Sequence, residues 1–543
     1  MRLFIAQCNP ILGDFAHNTK QILYAIEKAK EAHCDIVTFA ELAVCGYNPD
    51  DLLLDPHFVA KAETALEHIA KSCFGIIAIV GCVRRNQLLP GKPLCNSAAV
   101  IQDGHIIGFQ DKCLLPTYDV FDEWRYFEPA KSERVWDIAG KKIGITICED
   151  IWPAFDPFLQ NRYKDDPLEC FEGKQLDLLI NISASPYSYG KIKTRTLVAK
   201  KVAKRLACHV ALVNQVGAQD GLLFDGSSFV VSEDGALLVQ AASFEPAHCV
   251  YDSEKSQSQT APFTEEGHEL FTALSMGVRD YFRKQGFLKA CIGLSGGIDS
   301  SVVAAIATNA LGKDNVVGVI MPSRFSSSAS REDALVLAKH LGIECREHSI
   351  EPALGSFLDT LGLSHESSSF GIVEENLQSR IRGVLLMAIA NKTGMLVLNT
   401  GNKSEIAMGY TTLYGDSIGA IGVLGDLLKR QVVLVAKYVN KDFSVIPDRV
   451  LARPPTAELK PNQKDSDTLP EYPILDTIVN EHIVHSKTAE EITTAHGFDV
   501  RQVRDVIQKI HQNEYKRRQV PFALRISEKA FSCGRKVPIV SHP

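Results

Sequence analysis

Residues 290–301 read ACIGLSGGIDSS, and the fold of the second half of the chain turns on them. Residues 290–294 are an apolar run, residues 295–300 a glycine and serine turn, and SSVVAAIATNAL (300–311) continues with helical character. A strand, a glycine loop and a helix in that order bring free backbone N–H groups to a helix N-terminus, where an anion such as phosphate is held. The apolar runs NVVGVIM (315–321) and GMLVLNT (394–400) are of the same kind, and each leads into a helical pattern. Strands apolar throughout that alternate with helices predict a doubly wound parallel sheet, covered on both faces. Ligands of such sheets sit at the carboxyl ends of the strands, where this loop falls.

The loop carries no lysine. It satisfies neither G-x-x-x-x-G-K-[ST] nor G-x-G-x-x-G. Ser295 and Ser300 add hydroxyl donors. Asp299 repels phosphate unless a cation lies between them, so Mg²⁺ is expected there. A bare Gly-Gly turn would be a tight strand–helix connection and nothing more. The serines and the aspartate at the end of a parallel strand move the reading to phosphate.

At 543 residues the chain exceeds one ordinary core, so two or more domains are expected. Its net charge of −7, without a basic block, argues against a nucleic-acid or membrane-surface binder. No apolar run reaches the length of a membrane span, and MRLFIAQCNPILGD lacks a secretory cleavage site. The 14 cysteines include no C-x-x-C pair, and Cys8, Cys82 and Cys291 sit in apolar runs. Free buried thiols point to a reducing cytoplasm, and no Cys/His cluster has zinc-ligand spacing.

Residues 1–250 hold many short strands, including RLFIAQ, DIVTFAEL, IIAIVGCV, SAAVIQ, KIGITIC, LDLLINISAS, HVALVNQ and GSSFVVS. Asp103-Gly104 and Asp234-Gly235 read as hairpin turns. Helices are expected over 17–33, 57–72 and 191–207. Residues 251–264, YDSEKSQSQTAPFT, lose periodicity and read as a linker. Residues 265–543 form the second domain, with a polar, Pro-rich stretch at 453–473 and a helical tail at 474–518.

Within that second domain, S-G-G-x-D-S resembles the pyrophosphate loop of the adenylating N-type ATP pyrophosphatases, which cleave ATP between its α and β phosphates. The stretches MPSRFSSSASREDA (321–334), ENLQSRIRG (375–383), LNTGNKSEIAMGYTTLYGD (398–416), KR (429–430), PPTAELKPNQKDSDTLPEYPILD (454–476) and EYKRRQVP (514–521) resemble, in order, the NAD synthetase family within that group. The resemblance implies an ATP site at Gly293, Leu294, Ser295, Gly296, Gly297, Ile298, Asp299 and Ser300, with Thr400 and Lys429 nearby. It implies contacts from Asn376, Glu405 and Lys516 to deamido-NAD (nicotinic acid adenine dinucleotide), and Mg²⁺ at Asp299 and Glu405, so that the two roles of Glu405 overlap. Ammonia-dependent members carry a lysine and an aspartate near the substrate, and GYTTLYGDSIGA does not clearly supply both. Arg380 and Arg382 read either as solvated or acid-paired or as part of this site, and FSSSAS (325–330) and SHESSSFG (364–371) as mobile loops.

In the first domain, FAELAVCGY (39–47), FQDKCLLPTYDVFDEWRYFEP (109–129) and GITICEDIW (144–152) each put a polar residue at the end of an apolar strand: Glu41, Lys112 and Cys148. A thiol needs a base to become a nucleophile, which a carboxylate supplies, and an ammonium stabilises the oxyanion that follows. Singly each residue is ordinary. Together the motifs resemble the nitrilase superfamily, whose Glu-Lys-Cys triad lies on a four-layer α-β-β-α sandwich. That resemblance implies a supporting role for Glu123, and glutamine held by Tyr118, Ser185 and Lys191. No cysteine has the G-x-C-x-G flanks of the Cys-His-Glu glutaminases, and residue 2 is Arg, so no N-terminal nucleophile is expected.

Over the whole chain the resemblance is to the glutamine-dependent NAD synthetase family. It implies an ATP-dependent amidation of deamido-NAD with ammonia from L-glutamine, a protected route for that ammonia, and a homo-oligomer. Three other readings stand beside it: another amidotransferase of the same ATP pyrophosphatase group, a non-catalytic nucleotide sensor, and an amidase with an appended nucleotide domain.

Overall fold

The computed structural model describes residues 1–87, 90–131, 133–153, 162–255, 265–366, 370–460 and 463–541. The chain divides into two compact units, 1–263 and 264–543.

The first unit is built on two six-stranded sheets. One has β1 (Arg2–Gln7), β2 (Ile36–Phe39), β3 (Ile77–Arg85), β4 (Leu94–Gln102), β5 (His105–Asp111) and β14 (Ala247–Asp252), in the order β14-β1-β2-β3-β4-β5. The other runs β13-β12-β9-β8-β7-β6, from β6 (Val135–Ile138), β7 (Lys141–Ile147), β8 (Leu178–Ser183), β9 (His209–Asn214), β12 (Phe229–Val231) and β13 (Leu237–Gln240). A separate hairpin pairs β10 (Val216–Gln219) with β11 (Leu222–Asp225). Alternate residues of the two sheets meet in a dry layer: Leu3, Ile5, Ile36, Ile79 and Val100 face Ile143, Ile145, Ile147, Ile180 and Val213. The opposite faces are covered by helices. α1 (Phe15–Glu31) and α2 (Pro56–Ser72) lay Ile22, Ile26, Leu66 and Ile69 on the first sheet. α3 (Lys191–Leu206) lays Val198, Val202 and Leu206 on the second. The result is the expected α-β-β-α sandwich. Asp14 and Asp55 cap α1 and α2, Asp55 with a proline at the first turn, which is why those helices start where they do. The Asp103-Gly104 hairpin has φ of +47° and +82°, the conformation that this residue pair favours. Tyr251 and Asp252, assigned to the start of the linker, instead end β14, paired with Leu3 and Arg2. Tyr251 is buried in the layer between the sheets and Asp252 pairs with the Arg2 guanidinium at 3.7 Å, which extends the strand past the loss of periodicity. Of the rest of the linker, residues 253–255 continue as a turn and residues 256–264 lie outside the described residues.

The second unit has a five-stranded parallel sheet in the order β17-β16-β15-β18-β19. β15 (Ala290–Gly293), β16 (Val316–Ile320) and β18 (Leu396–Asn399) are the three apolar runs. β17 (Glu344–Glu347) and β19 (Ile421–Gly422) are edge strands, one polar and one very short, and were missed for that reason. α4 (Glu266–Gln285), α5 (Ile298–Leu311) and the helix Lys429–Val439 pack on one another, with α5 against β15 and β16. α7 (Glu351–Leu361) and α8 (Ile372–Thr393) cover Cys291, Val317, Val319 and Val397 on the other face. The strand order reverses between β15 and β18, which opens a crevice at their carboxyl ends. α6 (Ser328–Leu341), capped by Ser327, begins inside the serine run expected to be a loop. The Ser327 and Ser330 hydroxyls donate to Glu458 at 2.9 and 2.7 Å. Of the other such stretch, residues 367–369 lie outside the described residues. The helical tail contains α14 (Val500–Gln512), whose Val503, Val506 and Ile510 are buried at helical spacing.

Two candidate active sites

In the first unit, Glu41 follows β2, Lys112 follows β5 and Cys148 follows β7, so sheet geometry alone brings strand ends together. Lys112 Nζ donates to Glu41 Oε1 at 2.7 Å and to Glu123 Oε1 at 2.8 Å, and all three groups are buried. Asn96 Nδ2 donates to Glu41 Oε1 at 2.7 Å, and the Ala184 N–H to Glu41 Oε2 at 3.0 Å. The Tyr47 hydroxyl donates to Glu123 Oε1 at 2.9 Å. Burial pushes the Glu123 carboxyl up to about 7 against the pull of Lys112, while Glu41 reinforces the rise. Burial lowers the Lys112 ammonium, but the two carboxylates overcome it and hold Lys112 charged.

Cys148 opens a 3-10 turn with φ +44°, a conformation that non-glycine residues rarely adopt. Burial and then the Glu41 charge push its thiol well up, and Lys112 opposes them. The resting thiol is therefore neutral and needs a base, which Glu41 can be. The next residue, Glu149, accepts from the Tyr118 hydroxyl at 2.9 Å and the Tyr163 hydroxyl at 2.9 Å. Lys191, at the start of α3, stacks its ammonium 4.6 Å from the centre of the Trp152 ring and acts on the Glu149 charge. The Ser185 N–H donates to Asn214 Oδ1 at 2.9 Å, one residue beyond the N–H that holds Glu41. Glu41, Lys112, Glu123 and Tyr118 act on the Cys148 thiol directly, whereas Lys191 meets Trp152 and acts on Glu149, and Ser185 is held by Asn214. Asn96, Tyr47, Glu149, Tyr163 and Asp150 were not anticipated. Only Glu149 and Asp150 had a signal, as acids directly behind the thiol.

In the second unit a cavity of ≈ 890 Å³ opens at the crevice between β15 and β18. It is lined by residues 293–300, Thr400 and Lys429, and also by Asn376, Glu405 and Lys516. Gly296 has φ +77°, and a Cβ there would lie 2.2 Å from the Ser330 carbonyl oxygen. Ser295 Oγ and Ser300 Oγ lie 3.1 Å apart, and the Gly297 N–H donates to Ser295 Oγ, so the loop is held by its own hydroxyls. The first turn of α5 lines this end of the cavity and has no side-chain cap, so its leading N–H groups are available to an anion there. Lys429 Nζ bridges Asp299 Oδ2 at 2.5 Å and Glu405 Oε1 at 3.5 Å, and Asn402 Nδ2 donates to Asp299 Oδ1 at 2.9 Å. Burial and then Asp299 push the Glu405 carboxyl up to about 8.

Residues 409–420 contain no lysine, and one from the tail reaches their backbone. Lys516 Nζ donates to the carbonyls of Gly409 at 2.7 Å and Thr411 at 2.9 Å, with the Asp416 charge acting on it. Lys403, the lysine nearest that stretch in sequence, is instead buried against Asp426, Ser527 and the Lys529 carbonyl. Asn376 Oδ1 accepts from the Thr412 hydroxyl at 2.8 Å. Arg382 lines the cavity with Nε donating to the Met321 carbonyl at 3.0 Å, whereas Arg380 holds the Leu413 carbonyl from an exposed position. Asn402, Asp465, Glu458 and Asp416 had not been singled out.

A buried thiol with its base and ammonium in one unit, and a phosphate loop on a doubly wound sheet in the other, define a class: a carbon–nitrogen hydrolase joined to a nucleotide-using synthetase. The carbon-nitrogen hydrolase family matches residues 2–256, and the NAD synthase family matches residues 270–520. A glutamine-dependent NAD(+) synthetase of Synechocystis sp. is 43% identical over 99% of this chain and 99% of its own length. Its counterpart from Acinetobacter baylyi is 40% identical over 99% and 98%. The solved structure of the Acinetobacter baumannii enzyme in complex with adenosine diphosphate superposes with a TM-score of 0.77 at 37% identity, covering 99% of this chain and 98% of that one. The chain belongs to the glutamine-dependent NAD(+) synthetase family.

Proposed function

We propose that this chain amidates deamido-NAD to NAD⁺, consuming ATP and taking ammonia from L-glutamine, with AMP, pyrophosphate and glutamate as the other products. The observation that carries this reading is that one chain holds both the Glu41–Lys112–Cys148 centre and an SGGIDS loop opening into a cavity with Asn376, Glu405 and Lys516.

In the first unit, Glu41 takes the Cys148 proton and the sulfur attacks the side-chain amide carbon of glutamine. Lys112 stabilises the oxyanion, while Glu123, Tyr47 and Asn96 hold Lys112 and Glu41 in place. The proton leaves with ammonia, and a thioester remains. Glu41 then deprotonates a water that releases glutamate. Glu149, Tyr118, Ser185 and Lys191 surround the remainder of the glutamine.

In the second unit, the nicotinate carboxylate attacks the α-phosphorus of ATP, and residues 295–300 hold the departing pyrophosphate. Ammonia attacks the acyl-adenylate and AMP leaves. Asp299, Glu405 and Asp465 lie around the Lys429 ammonium, and one ammonium leaves the Glu405 carboxyl raised to about 8; a further hard cation beside it would favour its ionised form. Asp299 and Glu405 would hold Mg²⁺, which neutralises phosphate-oxygen charge when bound. The volume lies toward the upper end of ordinary ligand pockets, as nucleotides require.

All 14 cysteines are free thiols, which supports a cytoplasmic setting. Exposed Ile372, Val373, Val384 and Met387 on α8 support a homo-oligomer. The test of the reaction is a product assay with ATP, Mg²⁺ and deamido-NAD, fed with glutamine or with ammonium. NAD⁺ with equimolar AMP from both nitrogen sources is expected. NAD⁺ from ammonium alone would remove the glutaminase, and unconsumed deamido-NAD would remove the synthetase.

A further inference from the structure

Asp150 is buried, and its carboxylate accepts three backbone N–H groups. Leu114 and Cys113 donate to Oδ1 at 2.8 and 3.2 Å, and Ile147 donates to Oδ2 at 2.9 Å. Cys113 directly follows Lys112, and Ile147 directly precedes Cys148. One carboxylate therefore fixes the two backbone segments that carry the ammonium and the thiol. Against it lies Glu133, from the segment leading into β6. That segment also ties back to the ammonium's own residue, because the Ala130 N–H donates to the Lys112 carbonyl at 2.9 Å.

Glu133 is 5% exposed, and neither of its carboxylate oxygens meets an N–H or O–H donor among the described residues. Cys113 Sγ, one oxygen of Glu133 and one oxygen of Asp150 lie within 4.8 Å of one another. Two ionised carboxylates at such a separation, away from water, repel strongly, and a buried carboxylate with no donor but the Cys113 thiol is costly in its own right. A proton on Glu133 removes both penalties at once, because it makes Glu133 a donor with Asp150 as its acceptor.

We propose that Glu133 and Asp150 form a hydrogen-bonded carboxyl–carboxylate pair, with the proton on Glu133, that holds the Lys112 and Cys148 segments in register, so that both acids are positioning residues of the glutaminase centre. The groups facing the pair are the Cys113 and Cys170 thiols and, on the Asp150 side, the Lys112 ammonium. Burial first and Asp150 second push the Glu133 carboxyl well up. Asp150, although raised by burial to about 6, is held down by the Ile147 and Leu114 N–H groups and by Lys112. The proton therefore belongs on Glu133, and the charge on Asp150.

This inference rests on the glutaminase reading of the first unit. Its test uses the full chain, with glutamine hydrolysis, ammonium-driven NAD⁺ synthesis and infrared spectra measured on Glu133→Ala and Glu133→Gln. Glu133→Ala is expected to lower the kcat of glutamine hydrolysis by roughly a hundredfold and to leave ammonium-driven synthesis intact. Glu133→Gln, whose amide N–H still donates to Asp150, is expected to recover most of that loss. The wild type should show a protonated-carboxyl stretch at neutral pH that Glu133→Gln lacks. A Gln variant as impaired as the Ala variant, or an infrared difference confined to ionised carboxylate bands, would overturn the proposal. So would a stoichiometric metal ion in the purified protein that Glu133→Gln loses. If Glu133→Ala fails to fold, the Gln variant and its spectrum still decide. Persistence of glutamine hydrolysis in Cys148→Ala would instead sink the glutaminase reading, while the spectrum would still report the Glu133 proton.

Discussion

Glu123 shares the Lys112 ammonium with Glu41 in a buried site that raises its proton affinity. Burial is the largest influence on its carboxyl and lifts it to about 7, with Lys112 pulling against the rise. The unfolded chain releases this proton near the ordinary glutamate value of about 4.3. The folded state therefore holds more protons between those limits, and the stability from this group falls as pH rises from about 4.3 to about 7, then levels off. Glu123→Gln removes the titration. The melting temperature of the wild type minus that of Glu123→Gln, followed on the first unit's transition, should become less favourable to the wild type as pH rises through that window. A difference that stays constant with pH would show that Glu123 titrates normally.

At the scale of elements, the pyrophosphate loop depends on one close approach. Gly296 adopts φ +77° and leaves room for the Ser330 carbonyl of α6, which a Cβ would meet at 2.2 Å. Both the dihedral and the contact are closed to alanine, and the obstacle is backbone rather than a flexible side chain. Gly296→Ala must therefore move α6 or the loop. The change should cut ATP-dependent AMP formation by about a hundredfold or more with either nitrogen source, while glutamine hydrolysis in the first unit survives. AMP formation close to wild type, read by chromatography, would mean that the loop does not have to sit against α6. The start of α6 is tied in the same way: Glu458 accepts from Ser327 and Ser330, and the Arg453 guanidinium donates to Ser330 Oγ at 2.7 Å. The Pro-rich segment 453–473 is thus anchored beside the loop it follows by some 150 residues in sequence.

For the whole molecule, the consequence is separability. Among the described residues, the thiol centre is built from the first unit and the nucleotide cavity is lined by the second. Cys148→Ala should abolish glutamine-driven NAD⁺ synthesis and retain ammonium-driven synthesis within about threefold of the wild type. Loss of both activities would show that the units do not work independently. Free ammonia is protonated in water near neutral pH and loses its nucleophilicity, so a chain that makes and uses it gains from keeping it out of bulk solvent.

Much of this was legible in the residues themselves. The three apolar runs of the second unit, each followed by a helical pattern, specified a parallel sheet, and the glycine loop at the end of the first marked the place of its ligand. Glu41, Lys112 and Cys148 are each ordinary polar residues at strand ends, and they stood out because the motifs around them together resemble the nitrilase superfamily. Asp103-Gly104 specified its turn because both positions take positive φ. What the sequence did not show was who meets whom across it. The polar edge strand Glu344–Glu347 is held by its neighbour rather than by its own pattern. Lys516 reaches the Gly409 and Thr411 carbonyls from more than a hundred residues away, and Asn96 closes on Glu41 from a different strand. Periodicity and turn chemistry are properties of neighbours along the chain, so sequence determined the elements and the residues at their ends. Hydrogen-bond partners, burial and the proton affinities that follow from them depend on which strand ends the topology brings together, and only the tertiary structure decided those.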